Sequence, residues 1–452
     1  MEAKKIKVRF PPSPTGEWHF GNVRTFVFNY LFARQKEGEI VLRFEDTDTA
    51  RNKEGADKKQ MEVLKVLGLD FDEGPYYQSQ RKDIYEKELR RLIKEDKAYE
   101  AEENQSGTGK VIRIRNTAKD IVWKDLVKGE IKISSDSFKD DKGNIDFIIA
   151  RSITDPLYHF TVVVDDYLMG ITHVLRGEDH VTSTPRQMII LEALGAPIPF
   201  YGHFPTILGE NKKKLGKRNG AVPVREYLDK GYLPDALLNA ISLLGWNPGG
   251  EQEIFTKEEL IQKFSLERVQ QFPAVFTGDK LDYINKEHLK LLPEEEKKDG
   301  VLSAIPEKYK ENKITEKLIP IIFERISKWG DVKTLFEAGD FDFFYSAPAV
   351  QSISELLCPE KLRKGKEVSN EELRGLLKQS ENLLSEIPEE EFTSENIKNA
   401  LWDFATEKGR GIVLWAIRYA LSGLEKSPDP FQISSTIGKT ETLNRIRHAA
   451  EK

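Results

Sequence analysis

An open parallel α/β sheet, interrupted once by a small mixed insertion and followed by a long all-helical region, is the fold class this sequence predicts. Three observations predict it: the chain opens strand, helix, strand; apolar runs with polar ends return after residue 160; and beyond Val222 strand patterns give way to amphipathic helical ones. At 452 residues the chain is long enough for several cores, and 39% hydrophobic against 32% charged residues describes a globular protein with a charged surface. A net charge of -6 argues against a uniformly basic nucleic-acid coat but leaves room for a local basic face. No apolar run is long enough to span a bilayer, and the basic start leads into prolines rather than a secretory h-region, so the expected location is cytoplasmic. One cysteine, Cys358, and scattered histidines exclude an intrachain disulfide framework and a multi-cysteine zinc site.

In chain order, Ile6, Val8 and Phe10 alternate with Lys5, Lys7 and Arg9, the period of a half-buried strand. Pro11, Pro12, Pro14 and Gly16 then impose a rigid loop until Gly21-Asn22, where an apolar helix begins that Gly38 would cap. Strand, tight loop and helix amino-terminus bring N–H groups and the helix dipole to bear on an anion. Neither a P-loop nor a Gly-x-Gly-x-x-Gly run is present. His19 can donate to a phosphate oxygen while Gly21 admits a base or ribose; the competing reading is a loop histidine packed on Trp18. Glu39 to Glu45 reads as a second strand whose acidic end, Glu45-Asp46-Thr47-Asp48, faces a ligand crevice or forms a solvated capping loop. Ala56 to Leu67 and Arg81 to Lys94 read as amphipathic helices separated by a sharp turn at Asp72-Glu73-Gly74-Pro75.

Composition shifts to loop residues between Glu100 and Lys110, and short alternating runs (Val111–Arg115, Glu130–Ile133, Asp146–Ala150) mark a mostly β insertion. Val162-Val163-Val164 is expected to resume the sheet as an apolar strand ended by Asp165-Asp166. These two acids are read as turn caps in preference to metal ligands. Val174 to His180 reads as another strand delivering polar groups at its end, and Thr184 to Leu194 as a helix closed by Gly195. Lys212 to Gly220 is a basic, glycine-flanked loop, solvated or facing nucleic acid. Helices are expected at Leu237–Leu244, Lys257–Phe264, Lys280–Leu289, Lys317–Lys328, Glu371–Leu384, Ser394–Phe404 and Gly411–Leu421.

His19-Phe20-Gly21-Asn22 opening a helix after the first strand, and Lys214-Leu215-Gly216-Lys217-Arg218 far downstream, resemble the two signature elements of class I aminoacyl-tRNA synthetases. Arg9 to Gly16, Arg43 to Asp48 and Val163 to His180 resemble, within that class, the bacterial-type glutamyl-tRNA synthetases; so do Ala240 to Trp246, Phe276 to Asn285, Ile417 to Gly423 and Thr436 to Lys439. The resemblance implies a Rossmann-like catalytic domain (1–98 and 161–222), a shortened acceptor-stem-binding insertion (99–160), a helical stem-contact domain (223–310) and a helical anticodon-binding domain (311–452). It implies ATP-dependent activation of L-glutamate and transfer to the terminal adenosine of tRNA(Glu), with tRNA(Gln) as a second candidate acceptor. Arg9, Ser13, Glu45, Tyr158 and Arg176 would hold glutamate; His19, Gly21, Asn22, Asp179, His180, Leu208, Lys214 and Lys217 would hold ATP, with His19, Lys214 and Lys217 catalytic. ATP would come with Mg2+, no structural zinc is expected, and the chain is expected to be a monomer. Gly216 stands where the family usually has serine, which leaves a silent tRNA-binding paralogue as one rival reading. Glutamylation of a modified tRNA base is another, opposed by the length of chain beyond the catalytic region.

Overall fold

The computed structural model describes residues 5–102, 109–117, 119–139, 143–215, 222–363 and 365–452. It divides into two compact units, Met1–Lys290 and Leu291–Lys452. The division falls before the expected border at residue 310 because the helix Gly278–Leu291 buries Leu281 and Ile284 in the first unit's core, whereas Glu294–Ala304 packs on Lys313–Arg325.

Unit 1 is built on parallel strands β1 (Lys7–Phe10), β2 (Glu39–Phe44) and β3 (Glu73–Tyr77), in the order β1-β2-β3. Helix α1 (Phe20–Gln35) joins the first two and α2 (Ala56–Val66) the next, followed by α3 (Lys82–Lys94). The insertion comprises β4 (Ala98–Glu102), β5 (Lys110–Ile114), β6 (Ile121–Asp125), β7 (Gly129–Ile133), β8 (Phe147–Ser152) and β9 (Asp155–Pro156). It forms an antiparallel sheet β4-β5-β8-β9 and a hairpin β6-β7, with one 3-10 turn at Ser135–Phe138. Helix α4 (Tyr158–Leu168), strand β10 (His173–Gly177), helix α5 (Thr184–Leu194) and strand β11 (Phe200–Phe204) complete the α/β part, β10 and β11 pairing in parallel. The Thr172 N–H donates to the Lys7 carbonyl at 2.9 Å, setting β10 on the open side of β1. The order therefore reverses between β1 and β10, where open α/β sheets bind ligands at the strands' carboxyl ends.

Three local expectations need correction. Val162-Val163-Val164 lies within α4, not in a strand; all three are buried, and a short apolar run does not distinguish a buried helix from a buried strand. Asp165 and Asp166 are consequently buried helix residues rather than turn caps. The Asp72–Pro75 turn is the entry to β3, where the Asp72 carboxylate accepts the Ile40 N–H at 2.7 Å. The left-handed residue at the end of α1 is Glu37 (φ 51°) and not Gly38, whose N–H does close the helix by donating to the Ala33 carbonyl at 2.8 Å. Gly38 is instead required by close approach, since a Cβ there would lie 2.7 Å from the Ile6 carbonyl oxygen.

Short β12 (Ile207–Leu208) pairs in parallel with β13 (Ala274–Val275), a strand the sequence did not reveal. Helices Val224–Asp229, Pro234–Ser242 and Lys257–Lys263 follow. Phe28 and Trp246 both pack on Phe264, and Asn29 donates to the Leu175 carbonyl at 3.1 Å, fastening α1 to helices on one side and to β10 on the other. Every regular element among the described residues of unit 2 is helical, including Asn370–Ser385, Ser394–Lys408, Arg410–Ser422, Pro430–Ile437 and Lys439–Glu451. Leu377, Leu401, Ile417 and Ile446 are buried there. The Arg445 guanidinium donates to the Leu421 carbonyl at 2.8 Å and the Phe343 carbonyl at 2.6 Å, satisfying orphaned oxygens at two helix ends.

Candidate active site

A cleft of about 660 Å³ opens at the carboxyl ends of β1, β2 and β10. Arg9, Ser13 and Glu45 line it from the first half of the sheet, Tyr158 from α4 and Arg176 from β10. His19, Gly21, Asn22, Asp179, His180 and Lys214 line it as well, so the structure brings together all but two of the residues singled out in the sequence. Leu208 is not among the lining residues; it sits in β12, where its carbonyl accepts the Phe276 N–H at 2.8 Å. Lys217, like Gly216, lies outside the described residues.

His19 is the N-cap of α1, and its Nδ1 accepts the Gly21 N–H at 3.3 Å. Trp18 packs edge-on against Phe10, with ring centroids 5.2 Å apart. The Val224 N–H donates to the Trp18 carbonyl at 2.9 Å and Pro223 pairs antiparallel with His19. The near end of the basic loop is held by the Leu215 N–H, 2.8 Å from the Ile207 carbonyl. The near end of that loop is therefore anchored to β12, and the chain that follows it is anchored beside the amino-terminus of α1. Lys214, with its side chain 63% exposed, reaches Asp179 at 3.8 Å across the cleft mouth.

Beneath the cleft floor lies a buried charge network that the sequence did not disclose. Arg9, only 1% exposed, donates from Nε to Asp166 at 3.2 Å, and Arg43 donates from Nη1 to the other oxygen of Asp166 at 2.8 Å. The first strand is thus not half-buried: the face carrying Arg9 is covered too, and the Nε of this residue is paired with α4. Asp165 accepts from Arg81 Nε at 2.7 Å, Gln78 at 2.9 Å and Tyr85 at 2.8 Å. Burial would raise the Asp166 carboxyl, but Arg9 and Arg43 together hold it below the usual carboxylate range. Glu45 is different. Burial dominates and pushes it up to about 7, although Arg43 lies 3.8 Å away.

Arg176 is held by neutral groups. Its Nε donates to His203 Nε2 at 3.2 Å, and its Nη2 to Thr184 Oγ1 at 2.8 Å and the His180 carbonyl at 3.3 Å. Burial, then neighbouring Arg9, depresses its affinity for a proton. Burial likewise pushes His180 down to about 4, leaving it neutral. Arg9 Nη1, Arg176 Nη1 and Glu45 Oε1 are buried without a hydrogen-bond partner among the described residues. Orphans of this kind are costly in a native protein unless a ligand completes them. Two cationic donors and one acidic acceptor match the two carboxylates and the ammonium of an acidic amino acid.

The model of a family described as tRNA synthetases class I (E and Q), catalytic domain, matches residues 5–107 and 100–283, and an anticodon binding domain matches 279–450. A glutamate–tRNA ligase of Thermodesulfovibrio yellowstonii is 37% identical over 99% of both chains. That of Bacillus subtilis strain 168 is 34% identical over 98% of this chain and 99% of its own. The solved structure of a glutamate tRNA ligase from Elizabethkingia meningosepticum in complex with its amino acid superimposes with a TM-score of 0.81 at 29% identity, covering 99% of this chain and 100% of that one.

Proposed function

The chain belongs to the glutamate–tRNA ligases of the class I aminoacyl-tRNA synthetases, and from that premise we infer how its own residues activate glutamate. The observation that carries the reading is the set of three buried atoms without a hydrogen bond among the described residues, Arg9 Nη1, Arg176 Nη1 and Glu45 Oε1, on residues that line one cleft. The two arginines grip the carboxylates, Glu45 takes the ammonium, and Ser13 and Tyr158 complete the pocket. Held this way, a glutamate carboxylate oxygen attacks the α-phosphate of ATP, pyrophosphate leaves, and the glutamyl group passes to the terminal adenosine of tRNA. No covalent enzyme intermediate is needed, so the residues contribute positioning and charge stabilisation.

His19 and the N–H groups at the start of α1 cradle the nucleotide with Gly21, Asn22, Asp179 and His180. Lys214 and Lys217 meet the charge that grows on the departing phosphates. Removing one such cation costs on the order of 100- to 1000-fold in rate. Mg2+ arrives on the ATP phosphates. A zinc-free insertion is the reading because the sole cysteine, Cys358, lies far outside it. No helix among the described residues is long and apolar enough to cross a membrane; a monomer working in the cytoplasm is the proposed state.

Glutamate-dependent ATP–pyrophosphate exchange tests the reading. Exchange is expected only when tRNA is added, and Arg9→Ala or Arg176→Ala should abolish it while leaving ATP binding intact. A chain that exchanges no label with any glutamate-acceptor tRNA refutes the assignment. Charging of purified tRNA(Glu) and tRNA(Gln) side by side decides whether the second is a substrate.

A further inference from the structure

We propose that Asp125 and His203 are a positioning pair for the glutamate site, Asp125 fixing the His203 tautomer and His203 in turn fixing the Arg176 guanidinium that grips the substrate. The inference rests on the assignment of Arg176 to glutamate made above.

Both side chains are completely buried, Asp125 at the end of β6 in the insertion and His203 in β11 of the sheet. One Asp125 oxygen accepts three backbone N–H groups, from Val127 at 3.0 Å, Lys128 at 2.9 Å and His203 at 3.1 Å. The other lies 2.5 Å from His203 Nδ1. Burial alone would raise this carboxyl, but its hydrogen bonds with His203 and the amides keep it below the usual range. An ionised carboxylate only accepts, so Nδ1 must carry the ring proton. Burial holds His203 neutral despite Asp125, and its Nε2 is therefore a bare acceptor. Arg176 Nε, which only donates, sits on that atom at 3.2 Å. Thr184 and the His180 carbonyl take Nη2, so rotation of the guanidinium is blocked and Nη1 is the nitrogen left over. None of these three groups is charged. The cation keeps its attraction for a substrate carboxylate, in contrast to Arg9, which Asp166 already neutralises in part.

A pair that merely knitted the insertion hairpin to β11 would affect stability without singling out one substrate. Asp125→Asn separates the two roles. Three backbone N–H groups retain the side-chain oxygen, so the new amide must point its own hydrogens at Nδ1. The imidazole must then move its proton to Nε2, where it opposes Arg176 Nε–H. In tRNA-dependent exchange, the KM for glutamate should rise on the order of 10- to 100-fold while the KM for ATP holds. His203→Gln offers an amide oxygen near the place of Nε2 without help from Asp125. It should keep a near-parental glutamate KM, and adding Asp125→Asn to it should change little. An unchanged glutamate KM in Asp125→Asn, or equal rises for glutamate and ATP, overturns the proposal. Should Asp125→Asn fail to fold, His203→Gln against His203→Ala decides: a glutamate KM raised only in the alanine variant supports the pair, and equal values overturn it. Arg176→Lys is the separate control. If it leaves the glutamate KM unchanged, the site assignment itself has failed; if it raises KM while Asp125→Asn does not, only the positioning pair falls.

Discussion

Asp166 holds two guanidinium groups at once, and little about its position in the sequence discloses that. Its partners, Arg9 and Arg43, come from two strands far upstream, and an acid beside an apolar run resembles a turn cap until the run proves to be a helix. The residues proposed to face ligand were reached through the resemblance to glutamyl-tRNA synthetases, whose matched positions here supply two cations and an anion; Asp166 was not, because its pairing with Arg9 and Arg43 exists only in three dimensions. Asp166→Asn removes the charge that Arg9 and Arg43 share, leaving Arg43 only its longer pairs with Asp165 at 3.5 Å and Glu45 at 3.8 Å, and breaking a buried pair in this way costs about 3–5 kcal/mol. A urea titration of the variant should show that loss, with a higher glutamate KM among the molecules still folded. Glu45 makes a pH prediction. Burial raises it from 4.5 to about 7, so the native state binds a proton that the unfolded chain releases. Its contribution to stability is full below the unfolded value and is lost as pH rises through the folded one. Ammonium binding needs the ionised form and runs the opposite way. Relative to Glu45→Gln, the parent's Tm should fall between about pH 5 and pH 8 while its glutamate KM improves over the same rise. A flat Tm difference would mean that Glu45 is ionised throughout.

At the scale of elements, the opening strand, loop and helix were readable because proline, glycine and apolar periodicity act locally. The α4 helix was not, since three consecutive valines fit a buried strand as well as a buried helix. Strand β11 also escaped notice: Phe200 to Phe204 carries a glycine and a histidine, and its strand character comes from pairing with β10. Gly38 shows how an element boundary can be right for the wrong reason. Its φ is ordinary, and its requirement is the Ile6 carbonyl, 2.7 Å from where a Cβ would stand. Gly38→Ala should therefore cost about 1–3 kcal/mol by forcing β1 and β2 apart. Gly55→Ala is the informative contrast. Gly55 has φ +71° and nothing within 4 Å of a Cβ, so only the left-handed strain is incurred, roughly 1–2 kcal/mol. A loss below about 1 kcal/mol in Gly38→Ala would show that the β1–β2 contact is not specially tight.

At the scale of the molecule, every residue lining the cleft lies before the border at Lys290, and unit 1 has a continuous apolar core running from Val8 to Ile284. Unit 2 buries its own apolar side chains around helices such as Arg410–Ser422. Sequence periodicity showed that the distal part is helical, but amphipathic spacing marks helices without saying which core each one joins, and the helix Gly278–Leu291 joins the first. The expected consequence is that substrate activation and anticodon-side recognition are separable. A chain ending at residue 292, just past the helix Gly278–Leu291, should unfold in one cooperative transition and bind ATP with the parent's Kd. It should charge tRNA poorly, with kcat/KM for tRNA lower by roughly 100-fold, equivalent to about 2.7 kcal/mol of lost binding. Calorimetry with ATP and charging assays on the fragment measure the two halves of that statement. A fragment that is unfolded would show that the second unit is needed for the first to form. One that charges tRNA as well as the full chain would show that the helical unit contributes nothing to acceptor recognition.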